Sequence, residues 1–129
     1  HFKMVIEELK KRHLLLGKQR PDKYVVALQN FVQKGGKPEG RFLDRLLFAA
    51  LIEARSCERF RLLSLKIYDD ALKQFYHKLM ISEATHYRLF IDIAEHYFDK
   101  ELVKNRWQQW LDYETEVLHK MELRGDRMH

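Results

Sequence analysis

Two stretches of this chain alternate apolar spacings of four and three, and both carry ionisable residues inside the apolar series. Leu46, Ala50, Glu53 and Cys57 make the first series; Leu72, Tyr76, Leu79, Glu83, His86, Phe90 and Ile93 make the second. That rhythm places all members of a series on one face of an α-helix. The chain is therefore constrained to fold as long amphipathic helices with charged groups on the seam that normally holds leucine. Burying such groups alone costs on the order of several kcal/mol, so they must be paired, hydrogen-bonded or bound to a metal. Carboxylates and an imidazole converging on one bundle interior suit iron or manganese.

The rest of the chain reads as helix too. Phe2, Val5, Ile6 and Leu9 mark an amphipathic helix over His1 to about Leu16, with Gly17 as its stop. Pro21 fits the first turn of a second helix, faced by Tyr24, Ala27, Leu28 and Phe31. The segment Lys34-Gly35-Gly36-Lys37-Pro38-Glu39-Gly40 is a loop. Further helices are expected over about Phe42–Leu65, from near Asp70 to about Phe98, and over about Lys100–Met121, with Asp69 or Asp70 capping the second of these. No segment shows the strict alternation of a half-buried strand. The expected class is all-α, in one domain spanning 1–129. His1 is not an initiator methionine and the first apolar pattern is already under way there, so this domain is expected to be the C-terminal part of a longer protein.

Composition narrows the setting more than the chemistry. The longest apolar run, Leu46–Ile52, has seven residues, against the roughly 20 needed to cross a bilayer. No membrane partner is expected. A single cysteine, Cys57, and no visible leader agree with a cytoplasmic location. Net charge is +5, and residues 1–45 hold eleven Lys/Arg against five Asp/Glu. Such an excess attracts phosphate, although a solvated lysine-rich surface has the same composition.

Glu83 and His86 form E-x-x-H, which brings both side chains to one helical face within reach of one ion. Glu53 faces inward on the preceding helix, between the small residues Ala50 and Cys57. At this point two readings stand: a metal centre, or core polar groups satisfied by one another or by an arginine.

The wording of the sequence adds to this. Residues 52–60, Ile-Glu-Ala-Arg-Ser-Cys-Glu-Arg-Phe, together with Leu72-Lys-Gln-Phe-Tyr76 and Ser82-Glu-Ala-Thr-His86, closely resemble the MiaE family. Its members are ferritin-like di-iron hydroxylases acting on methylthio-isopentenyl-adenosine in tRNA. The resemblance covers most of residues 1–98 and implies a ferritin-like four-helix bundle whose ligands come as Glu, E-x-x-H, Glu, E-x-x-H. Glu53 matches the third-helix carboxylate, Glu83 and His86 match the fourth-helix pair, and His1 followed by Phe2 matches the close of the earlier E-x-x-H helix. The first ligand helix, and the glutamate three residues before His1, do not occur in this sequence. Thr85 and Tyr87 stand where the family pattern has arginine and phenylalanine.

The resemblance implies two non-haem iron ions with dioxygen as co-substrate, a tRNA substrate hydroxylated on its isopentenyl side chain, and an external electron donor. The competing expectations are another ferritin-like oxidase or iron-handling protein, and a metal-free helical interaction module. Lesser candidates have plainer readings beside them. Cys57 and Tyr76 either line the site or simply pack. Arg55, Glu58 and Arg59 either anchor phosphate or tie helices together. The basic loops 18–23 and 34–41 either meet RNA or are solvated, and Trp107 and Trp110 are read as packing. His13, His77, His96, His119 and His129 share no metal-ligand spacing.

Overall fold

The computed structural model describes residues 19–123, with side chains from residue 23 onward. The expected helix over His1–Leu16, and with it the His1 ligand expectation, lies outside the described residues. Four helices follow in order: α1 (Gln19–Gln29), α2 (Pro38–Lys66), α3 (Asp70–Tyr97) and α4 (Lys100–Leu123). The described residues contain no strand, as the missing alternation implies.

The element ends follow local chemistry. α2 begins at Pro38, four residues before the expected Phe42, because a proline at the first helical position sacrifices no hydrogen bond and Glu39 favours the positive helix end. The preceding loop shrinks accordingly. It turns at Gly36, whose φ of 73° suits glycine, and Arg41 donates to the Gly36 carbonyl at 2.7 Å. At the top of the pair, α2 gives way to α3 through Ile67, Tyr68 and Asp69. The Asp69 carboxylate caps α3 by accepting from the Leu72 amide at 2.9 Å.

α2 and α3 run antiparallel and make the most extensive interface among the described residues, while α1 packs on α2 and α4, and α4 touches α1, α2 and α3. Two apolar clusters hold this together. The larger joins Leu28 of α1, Leu43, Leu46, Leu47 and Leu51 of α2, Ala94 of α3, and Val103, Trp110 and Val117 of α4. The smaller joins Phe60, Tyr76 and Leu79 near the α2–α3 turn, with the Phe60 and Tyr76 rings stacked 5.9 Å apart. Leu47 is fully buried, so truncating it to alanine costs about 2–5 kcal/mol. Glu53 and Glu83 fall in the interval between the two clusters.

Candidate metal centre

The two long helices bring Glu53, Glu83 and His86 together. One ligand atom from each lies within 4.8 Å of the others, and no other such group of three occurs among the described residues. His86 Nδ1 stands 3.7 Å from Glu83 Oε1 and 3.8 Å from Glu53 Oε2. The carboxylates are recessed, with side chains 22% and 18% exposed for Glu53 and Glu83, whereas His86 is 46% exposed at the rim. Both apolar series therefore point inward as their spacing predicts.

Two carboxylates set side by side dominate the electrostatics of the group. Glu53 Oε2 is buried and receives no hydrogen bond. Its near neighbour is a second carboxylate, which can share a hydrogen bond only if one of the two carries a proton. Burial and the Glu83 carboxylate together push the Glu53 carboxyl from its ordinary 4.5 up to about 8. The same surroundings, burial foremost and then the Glu58 and Glu83 charges, raise the Cys57 thiol. Cys57 is thus a weakly acidic, partly buried thiol at the edge of the group.

These features fit a divalent cation. Three donors of the hard and borderline types preferred by iron and manganese converge, and an orphaned buried oxygen awaits a positive partner. Among the described residues His86 is the basic group within ion-pair distance of Glu53, and no arginine or lysine reaches it. The metal-free reading that relied on an arginine lacks its arginine.

Arg55 is occupied elsewhere. Its guanidinium grips Glu114 of α4 through Nε at 2.6 Å and Nη2 at 2.7 Å, and Glu58 through Nη1 at 2.9 Å. Tyr24 of α1 donates to the same Glu114 carboxylate at 2.5 Å. These donors hold Glu114 below the usual carboxylate range although burial opposes it. A second tie sits lower in the molecule. Asp44 accepts from Arg106 at 2.7 and 2.8 Å, from the Trp110 indole at 3.2 Å and from the Gln33 amide at 2.8 Å. Sequence reading identified neither acceptor. Asp44 does stand a helical turn from Leu47, and Glu114 a turn from Trp110, so their inward spacing was the available signal. Trp110 is fully buried as packing requires, and Trp107 lies against Tyr87 of α3 at 6.0 Å. Thr85 turns its hydroxyl back onto the Ile81 carbonyl at 3.0 Å, away from any ligand role.

Known proteins resemble this chain in sequence and in fold. The model of one family, described as tRNA-(MS[2]IO[6]A)-hydroxylase (MiaE), matches residues 1–129. A curated relative from Pseudomonas putida strain KT2440, named tRNA 2-(methylsulfanyl)-N(6)-isopentenyladenosine(37) hydroxylase, is 36% identical over 100 residues, which are 78% of this chain and 47% of the relative. A protein of the same name from Salmonella typhimurium strain LT2 is 34% identical over 95 residues, 74% of this chain and 34% of that one. The chain thus spans about half the length, or less, of the curated relatives it matches. Among solved structures, a Synechococcus protein described as having aldehyde deformylating oxygenase activity superposes with a TM-score of 0.74 at 34% identity, covering 92% of this chain and 58% of its own. The helical arrangement is accordingly the ferritin-like one expected. On the family match and both relatives, this chain belongs to the MiaE family.

Proposed function

We propose that the chain is the metal-binding part of an oxygen-dependent di-iron monooxygenase that hydroxylates the isopentenyl side chain of methylthio-isopentenyl-adenosine in tRNA. The convergence of Glu53, Glu83 and His86 in a chain of this family carries the reading. The relatives' names supply the substrate. Cytoplasmic action and an external electron donor belong to the same proposal. No described helix is long and apolar enough to cross a membrane.

Glu53, Glu83 and His86 would hold iron, with His1 as a further ligand from the start of the chain. Bound there, a non-haem iron pair supplies dioxygen activation and cleavage of an unactivated C–H bond. Glu53 would bind as an anion, so loading would release a proton from a carboxyl that burial and Glu83 raise to about 8. The Phe60–Tyr76–Leu79 cluster above and the Leu47–Leu51 cluster below flank the recessed carboxylates with apolar groups, which would strengthen their attraction for a cation. His86, half in solvent, stands at the mouth where a bulky polynucleotide would approach.

The test is an anaerobic ferrous titration of the whole chain, then an assay of the full-length protein with reductant, dioxygen and modified tRNA. Expected are stoichiometric iron uptake and gain of one oxygen atom on the nucleoside. Glu83→Ala should lose both while helicity persists. Full activity in that variant would end the proposal.

A further inference from the structure

The face of the α2–α3 pair beside the metal centre is marked by two clefts. One, of about 450 Å³, is lined by Ser64, Leu65, Lys73, Gln74, His77 and Lys78. The other, of about 410 Å³, is lined by Cys57, Met80, Ile81, Ala84, Thr85 and Arg88. Residues 73, 77, 81, 84 and 88 recur at three or four along α3, so the clefts succeed one another along a single flank. Arg61 stands one helical turn after Cys57 on α2, on the side of the second cleft.

Cations outnumber acids on this flank, whose exposed acids are Glu58 beside Cys57 and, one turn beyond Lys73 and Arg88, Asp70 and Asp92. Between Ala71 and Ile91 the sole acidic residue is Glu83, and it faces Glu53 in the interior. Between Ala54 and Lys66 the sole acid is Glu58, which Arg55 holds at 2.9 Å. Arg61, Lys73, Lys78 and Arg88 are all exposed and, among the described residues, none is in an ion pair. Arg55 and Arg106, by contrast, are both committed to carboxylates. Lys73 to Arg88 spans fifteen residues of helix, about 22 Å at 1.5 Å per residue. A cationic row of that length free of close ion pairs among the described residues, with clefts between the charges, is complementary to a polyanion.

We propose that this flank, through Arg61, Lys73, Lys78 and Arg88, grips the phosphate backbone of RNA. The identity of the RNA rests on the hydroxylase reading, but the binding itself does not. Phosphate contacts position a nucleic acid without reading its sequence, and each contact contributes to the salt dependence.

The experiment measures binding of the whole chain to a labelled, unmodified anticodon stem-loop RNA across a salt series. Lys78→Glu/Arg88→Glu is compared with Lys34→Glu/Lys37→Glu, which makes an identical charge change at the α1–α2 turn. The flank variant should bind about tenfold or more weakly, with a salt slope lower by about 2, and the turn variant should stay near wild type. Equal losses in the two variants, an unaffected flank variant, or a wild type that ignores the RNA would overturn the proposal. Ferrous uptake measured on the same preparations separates the two readings. Retained iron with unchanged RNA affinity dismisses the flank alone, whereas lost iron in the wild type dismisses the hydroxylase.

Discussion

Glu53 is a residue poised between two states, and its surroundings give the cost of each. Its carboxyl, raised to about 8 from an ordinary 4.5, binds a proton more tightly in the fold than in the unfolded chain. The metal-free fold therefore loses stability as pH rises from about 4.5 through about 8. Glu53→Gln mimics the protonated form. Thermal melts of the metal-free protein should show the variant level with wild type near pH 4 and more stable at pH 9, by a few degrees. Ferrous binding by the same variant should fail, since an amide cannot replace the anionic donor. A variant that melts lower than wild type at pH 9 would show that Glu53 is stabilised by something other than a proton or a cation. The inward placement of Glu53 and Glu83 was legible from spacing alone. The half-exposure of His86 was not, because a periodic series gives a direction around the helix axis but not the depth of what covers it.

At the scale of elements, charged contacts decide how α1 and α4 are held. Glu114 joins α1, α2 and α4 through Tyr24 and Arg55, and Asp44 joins the α1–α2 connection, α2 and α4 through Gln33, Arg106 and Trp110. Glu114→Ala leaves the Arg55 charge without its bidentate partner. The expected loss is on the order of 2–3 kcal/mol in denaturant melts, below that of a fully enclosed pair because Arg55 is a third exposed. Both carboxylates titrate below their ordinary 3.8 and 4.5, so what they contribute is complete above those values and disappears as pH falls through the depressed ones. Wild type should lose stability steeply below about pH 4, and Glu114→Ala less steeply. The helices themselves could be read from the sequence, ends included to within a few residues. Their cross-links could not, because Arg55 and Glu114 are 59 positions apart and nothing local joins them.

Across the whole molecule, charge summed along the sequence and charge summed over the surface differ. Residues 46–129 are nearly neutral in total, yet Glu53 and Glu83 of the α2–α3 pair are turned inward and Glu58 is held by Arg55, which leaves cations in excess on its flank. The N-terminal excess of lysine and arginine drew attention to the loops instead, and only folding shows which charges remain available. The interfaces also set an order of stability. The short α1, with its modest contacts, should exchange its amides for deuterium well before the interior amides of α2 and α3, as a hydrogen-exchange time course would register. The three-residue connection Ile67–Asp69 has a larger consequence still. Glu53 lies thirteen residues before the last residue of α2, and Glu83 thirteen after the first of α3, so each carboxylate hangs about 20 Å below the bend. The hairpin works as a folded ruler whose crease makes the two marks coincide. Adding one residue at the crease would slide the marks apart and rotate one of them away, so that iron affinity becomes a gauge of connection length.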